Sequence, residues 1–317
     1  MEDKLIRIAH AAAWLVSLAI GSAAAPAEPW VERLRATVRF DLPRHQMLVH
    51  AAVELGLDAE TRELWIGLAD HELVRTEVET IEGDRRFSWV AREQPERRRK
   101  VIVLRLREPA GERLPLQLEY RVTAPARGGA ELSLQPGALH AAPASRWWPV
   151  ALAPEATAPA AAAPRRTELR LVVPREFLVH GGGRIEADHE KGKVRHVDLR
   201  YETPGPLEPF FLAAPYQRRT FDHQGTQLVL LTLQELPRVP GVVDEVADLI
   251  ASYRGCAGGA APLPSLTIAE SAVDFGGPGA SIGFHGTALL GSQAFAIADG
   301  RPRFKPSALR ALGCGAE

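Results

Sequence analysis

The chain has 317 residues, 46% hydrophobic and 24% charged, with a formal net charge of -1, which describes a globular chain long enough for two hydrophobic cores. So even a charge balance excludes a whole-protein field that would gather nucleic acid or anionic lipid. The only cysteines, Cys256 and Cys314, permit one bridge and exclude a disulfide framework.

At the start, Lys4 and Arg7 lead into an apolar stretch from Ile8 to Ile20 that ends in Gly21-Ser22-Ala23-Ala24-Ala25. A basic region, an apolar region and small residues are the layout of a secretory signal, here residues 1–25. Left uncleaved, residues 8–25 come close to the about 18 to 20 apolar residues that span a bilayer, and would act as an anchor. The expectation is an exported protein, periplasmic or extracellular, with no membrane contact beyond those residues.

From Val31 to Tyr120 apolar and polar residues alternate in short runs separated by turn residues. Examples are Arg35 to Phe40, Met47 to Leu55, Arg62 to Leu68, Lys100 to Leu106 and Leu114 to Val122. Period-two alternation with almost no helical periodicity predicts half-buried antiparallel strands in a β-sandwich. The cluster Arg97-Arg98-Arg99-Lys100 falls between two such runs and is expected to be a solvated hairpin loop, because no aromatic residues interleave for base stacking. Arg146-Trp147-Trp148-Pro149 follows, then an Ala/Pro stretch from Ala151 to Pro164 in which Pro154, Pro159 and Pro164 each remove a backbone donor, predicting a loop. Strand character resumes at Glu168 to Pro174, Val194 to Tyr201 and Phe210 to Ala213. Gly181-Gly182-Gly183 lacks the strand-before, helix-after setting of a phosphate loop and reads as a turn.

From Phe221 the pattern changes to a strand at Gln227 to Leu233, a helix at Val242 to Tyr253 and a strand at Ser265 to Glu270. Val242, Val243, Val246, Leu249, Ile250 and Tyr253 share one helix face, with Pro240 before it and Gly255 placed to end it. An amphipathic helix docked on a sheet is expected.

The order of alternating strands, Trp147-Trp148-Pro149, Leu171 to Pro174, Gly181 to Gly183, Phe211 to Ala214, a helix, and a strand leading into Phe275-Gly276-Gly277-Pro278-Gly279 resembles the M1-family zinc aminopeptidases from about Val31 to about Leu290. The resemblance implies a mainly β fold: an antiparallel β-sandwich or saddle domain at 28–217, then an incomplete start of a thermolysin-like α/β catalytic domain at 218–317. The family's Gly-x-Met-Glu-Asn substrate strand would fall near Gly276, Gly277 and Gly279, the substrate-binding residues the resemblance implies. Those positions keep glycines but lack the Met-Glu-Asn tail and its carboxylate.

The family's His-Glu-x-x-His motif does not occur in the sequence, and no histidine follows His285. A catalytic zinc takes about three protein ligands, two commonly at i and i+4 on a helix. The nearest match, His71-Glu72-Leu73-Val74-Arg75, puts a cation where the second histidine belongs. His45 with His50 and His189 with His196 have the wrong spacing for one helical face. Gly279-Ala280-Ser281-Ile282-Gly283 matches Gly-x-Ser-x-Gly, but its only downstream histidine, His285, precedes the acid Asp299, against the order of α/β-hydrolases. No catalytic residue and no metal ligand is therefore expected, and no cofactor, with zinc entering only if a missing catalytic part is supplied.

The sequence thus predicts a truncated, non-catalytic M1-like protein that binds peptide or protein. The alternative is the substrate-side portion of a split or misread zinc aminopeptidase, whose His-Glu-x-x-His half is on a partner chain or lost downstream. Truncation also predicts an uncovered apolar patch on the helix at Val242 to Tyr253 and the strand beside it.

Overall fold

The computed structural model describes residues 29–57, 60–95, 98–152, 163–201, 208–236, 240–256, 265–273, 281–298 and 301–314. The signal-like segment and Gly276, Gly277 and Gly279 lie outside them. No helix among the described residues is long and apolar enough to cross a membrane.

The strands run, in chain order, β1 (Trp30–Asp41), β2 (Gln46–Gly56), β3 (Glu63–Ala69), β4 (Arg75–Gly83), β5 (Phe87–Gln94), β6 (Arg99–Leu106) and β7 (Arg113–Thr123). Next come β8 (Leu132–Gln135), β9 (Ala138–Ala141), β10 (Val150–Leu152), β11 (Arg166–Pro174), β12 (Leu178–Gly181), β13 (Arg184–Lys191), β14 (Val194–Tyr201) and β15 (Phe211–Ala214). The chain closes with β16 (Gln217–His223), β17 (Thr226–Thr232), helix α1 (Pro240–Cys256), β18 (Ser265–Ser271), β19 (Ser281–Phe284), β20 (Thr287–Gly291), the short pair β21 (Ile297–Ala298) and β22 (Arg301–Pro302), and helix α2 (Lys305–Ala311). The fold is mainly β, as the alternation predicts.

A seven-stranded sheet in the order β13, β14, β11, β1, β2, β7, β4 is the largest layer. All its pairings are antiparallel except β1 with β11. Its inner face is the alternate set Leu34, Ala36 and Val38 from β1, Val49, Ala51 and Val53 from β2, and Leu116, Leu118 and Tyr120 from β7, all buried. Two four-stranded sheets, β10, β3, β6, β5 and β12, β15, β9, β8, join this core. The tryptophan pair lies within it: Trp147 and Trp148 are fully buried, Trp147 meets Phe211 edge-on at 6.0 Å, and the Tyr120 hydroxyl donates to the Trp147 carbonyl at 3.0 Å.

The fourth large sheet has the order β16, β17, β18, β20, β19, with β17, β18 and β20 parallel and α1 crossing between β17 and β18. Parallel central strands read as continuous apolar runs because both faces are covered. Leu228, Leu230, Leu266, Ile268, Ala288 and Leu290 pack under Val242, Val246, Leu249 and Ile250 of α1. On the other face Val229, Leu231, Ala269 and Leu289 meet Leu212, Ala214 and Tyr216.

The apolar patch expected over this helix and sheet is not found among the described residues. Phe295, Phe304 and Ala308 complete the cluster above α1, and from Gln217 onward only Val243 and Ile297 are large exposed apolar residues. The basic cluster also departs from a solvated loop. Arg99 is buried at the start of β6, and Lys100 Nζ donates to the Thr76 carbonyl at 2.5 Å. Arg98, at φ 53°, lies in the connection before β6.

Candidate functional site

The glycine-bearing segment expected to meet substrate leads directly into β19, and β19 is where the described residues form a candidate site. It is the outer strand of its sheet and pairs only with β20. An outer strand leaves a row of backbone donors and acceptors unpaired, to which an extended peptide can add. The two strands are joined by a tight turn at His285 (φ 47°) and Gly286 (φ 74°).

One face of β19 is held against the β-rich region. Phe284 meets Phe210 edge-on at 4.5 Å, and the His285 ring stacks on Phe210 at 6.0 Å. Beside them His180 Nε2 lies 3.0 Å from Thr287 Oγ1. Burial, and secondarily the charge of Arg218, pushes His180 down to about 4, so it is neutral at pH 7. Glycines set this seam: a Cβ on Gly182 would lie 2.6 Å from the Phe210 ring and one on Gly183 2.8 Å from the Arg200 carbonyl. The Tyr201 hydroxyl donates to the Phe210 carbonyl at 2.5 Å. Gly182 and Gly183 thus form a turn, as predicted, required by close packing, while Gly181 ends β12 opposite Phe211. A cavity of about 400 Å³ opens beside it, lined by His180, Arg218, Val229 and Thr267 among others.

The other face of β19 is covered by α2. A Cβ on Gly283 would fall 1.5 Å from the Ala311 carbonyl oxygen, so the end of α2 lies where any side chain would project. Gly283→Ala is expected to displace α2 and cost about 3 kcal/mol, the upper range of overpacking; a urea midpoint equal to the parent's would show that α2 yields freely.

The serine motif has the wrong context for an elbow. Ser281 opens β19 opposite Leu290 and is followed by a strand, a turn and a second strand, not a helix. The catalytic-type histidine pairs also separate. His45 Nδ1 donates to the Leu134 carbonyl at 3.0 Å, while His50 lies 2.9 Å from Glu119. His189 and His196 do meet, as cross-strand neighbours of β13 and β14 with rings stacked at 5.1 Å, yet they supply only two donors.

The donor chemistry does not fit a zinc centre. His71 sits in a tight turn bridged to Val74, not on a helix, with Arg98 Nη2 3.1 Å from Nδ1 and the Glu131 carboxylate 3.4 Å from Nε2. Burial and the Arg98 charge lower its pKa, and that cation would repel a metal. Among the described residues no group of three or more His, Cys, Asp or Glu is placed to hold one.

No protein-family model and no curated protein matches the sequence. Solved structures do match the fold. The M1 zinc metallopeptidase from Deinococcus radiodurans is 13% identical with a TM-score of 0.58, over 84% of this chain and 61% of that one. A substituted form of that enzyme bound to a Tyr-Ser-Ala substrate is 14% identical with a TM-score of 0.59, over 90% and 64%. A two-domain M1 zinc metallopeptidase variant bound to L-tryptophan is 15% identical with a TM-score of 0.57, over 90% and 64%. Identity this low establishes a shared fold, and the chain spans less than two thirds of those structures.

Proposed function

We propose that these residues form the β-rich front domain (28–217) and the first sheet and helix of the catalytic domain (218–317) of an M1-type metallopeptidase, and that the chain binds peptide without cleaving it. The observation carrying this reading is a mismatch: an M1 fold runs through most of the chain while the 317 residues contain no His-Glu-x-x-His. The open strand β19 is where an extended peptide would add, with Gly276, Gly277 and Gly279 leading into it. Export through residues 1–25 fits a chain with a disulfide.

A second reading takes up the chain's covering about 61% of the first neighbour: the zinc half lies on another chain or was lost downstream, and these residues bring the substrate-side half. Both readings give the purified chain the same expected result, namely no stoichiometric zinc and no amino acid released from aminoacyl reporters. Zinc at one equivalent together with turnover would defeat both. Turnover restored by mixing with a His-Glu-x-x-His protein that copurifies would select the second.

A further inference from the structure

β5 is a strand with no cover. It is the outer strand of its sheet, paired only to β6, and Ser88 to Glu93 are all exposed, so both faces as well as the free edge meet solvent. Trp89 and Val90, at 38% and 44% exposed, are two of the few large apolar side chains left in water. Across from it runs β4, itself the outer strand of the seven-stranded sheet. The chain passes between them through Asp84-Arg85-Arg86, and the two edges splay apart instead of pairing.

The splayed corner holds a hollow of about 560 Å³ lined by Ile81, Glu82, Gly83, Arg85, Arg86, Phe87, Trp89 and Arg107. Its lining carries three guanidinium groups, one carboxylate and two aromatic rings. The Arg85 side chain donates to the Pro109 carbonyl at 3.1 Å, which fixes it at the rim. At the far end of the same gap a second hollow of about 590 Å³ carries both signs of charge, with Glu77, Glu93, Arg98 and Lys100 in its wall. Edge strands in soluble proteins are usually blunted or covered. This one offers an unpaired backbone edge, an apolar foothold on each face, Trp89 toward the hollow and Val90 away from it, and a positive end.

We propose that β5 receives an extended acidic segment of a partner protein as an added strand, its carboxylates meeting Arg85, Arg86 and Arg107 on the Trp89 face while its apolar residues cover Val90 on the other. The site is separate from β19 and stands whether or not β19 binds peptide. Backbone pairing would supply the affinity and the guanidinium cluster the selectivity.

The test uses the full chain and fluorescence anisotropy of a labelled peptide of about eight residues alternating glutamate and valine, long enough to run the length of β5. Three controls accompany it: lysine in place of glutamate, the acidic peptide N-methylated at alternate residues, and the Arg86→Glu/Arg107→Glu protein. The proposal expects saturable binding of the acidic peptide, weakened by salt, and at least about tenfold loss in each control. Arg86→Lys/Arg107→Lys, which keeps the charge, should retain most of the binding, and the double reversal should bind the lysine peptide instead, as a misfolded protein would not. Equal binding of the acidic and basic peptides, undiminished binding of the N-methylated peptide, or indifference to the charge reversal would each overturn it. So would a β5-mediated dimer in sedimentation that the acidic peptide fails to dissociate.

Discussion

Acidification from pH 7 to about 4.5 is expected to remove several kcal/mol of stability, because two histidines are folded away in their neutral form. His140 is buried in β9, where its Nε2–H donates to the Gly129 carbonyl at 2.8 Å, and burial pushes its pKa down from 6.5 to about 4. His180 is pushed to about 4 by burial and then by Arg218, although it keeps some accessible surface toward the cavity beside it. In both cases the unfolded chain takes up a proton below pH 6.5 while the folded chain refuses it until about pH 4. The stability these groups contribute is therefore complete above 6.5 and is lost as pH falls toward 4. One pKa unit corresponds to about 1.4 kcal/mol, so His140 alone is worth roughly 2 to 3 kcal/mol at pH 4.5 and His180 somewhat less. The carboxylates of Glu32, Glu63 and Asp198 are held low by their hydrogen-bond partners Trp30, Trp65 and Arg170 and add to the loss only at lower pH. Glu270, raised by burial, works in the opposite direction. Urea midpoints at the two pH values check this, and His140→Gln should flatten the slope between them; a midpoint that does not move would mean the folded state accommodates imidazolium at both positions.

The strands were legible because each carries one physical signal, alternation against a buried face. In β2 and β7 that alternation matches the burial nearly position by position, and in β1 it does so from Leu34 to Arg39, after a bulge at Val31 to Arg33. Helix α1 was equally legible from its periodicity, with Val242, Val246, Leu249 and Ile250 buried as expected, whereas Val243, placed on the same face, is exposed. The hairpin of β19 and β20 was not, because Gly283, His285 and Gly286 make Gly279 to Gly286 read as loop. Strand structure there depends on Leu289 and Leu290 being gripped from both faces of the sheet, which no local pattern announces. Helix α2 was missed for the same reason: seven residues without a side-chain N-cap hydrogen bond form no helix by propensity alone. His180 and Phe210 gave no signal of their own; the nearest was the glycine run beside them, whose cause is the space Phe210 occupies. The open edge of β5 was hidden because sequence does not reveal which strand ends a sheet. Arg99 looked like a loop residue because charge density was visible and its burial was not.

Reducing the bridge between Cys256 and Cys314 is expected to cost about 4 kcal/mol and to open the end of the chain first. The cysteines lie 58 positions apart, and closing a loop of that length removes about 4 kcal/mol of chain entropy from the unfolded state in the loop-closure treatment. What the bridge holds explains why the effect should be local. α2 ends in Gly313 at φ 78°, with Gly313 N–H donating to the Arg310 carbonyl at 3.1 Å and Cys314 N–H to the Leu309 carbonyl at 2.7 Å, the paired bonds of a Schellman cap. That cap aims Cys314 at Cys256, the last residue of α1. At the other end of α2 the Glu245 carboxylate, buried on α1, accepts from Lys305 N–H at 2.8 Å. A helix of seven residues cannot stand alone, so it persists because α1 grips it at both ends and because Phe304 and Ala308 complete the cluster on the sheet. Cutting one tether leaves Glu245 and the apolar contacts, which α2 shares with β19 through Gly283. Hydrogen exchange in the reduced protein, or in Cys256→Ser/Cys314→Ser, should therefore rise across 281–314 while β1 to β15 keep their protection, and the urea midpoint should fall. Uniformly faster exchange along the whole chain would instead mean that the five-stranded sheet and the β-rich region unfold as one unit, and an unchanged midpoint that apolar packing alone secures α2.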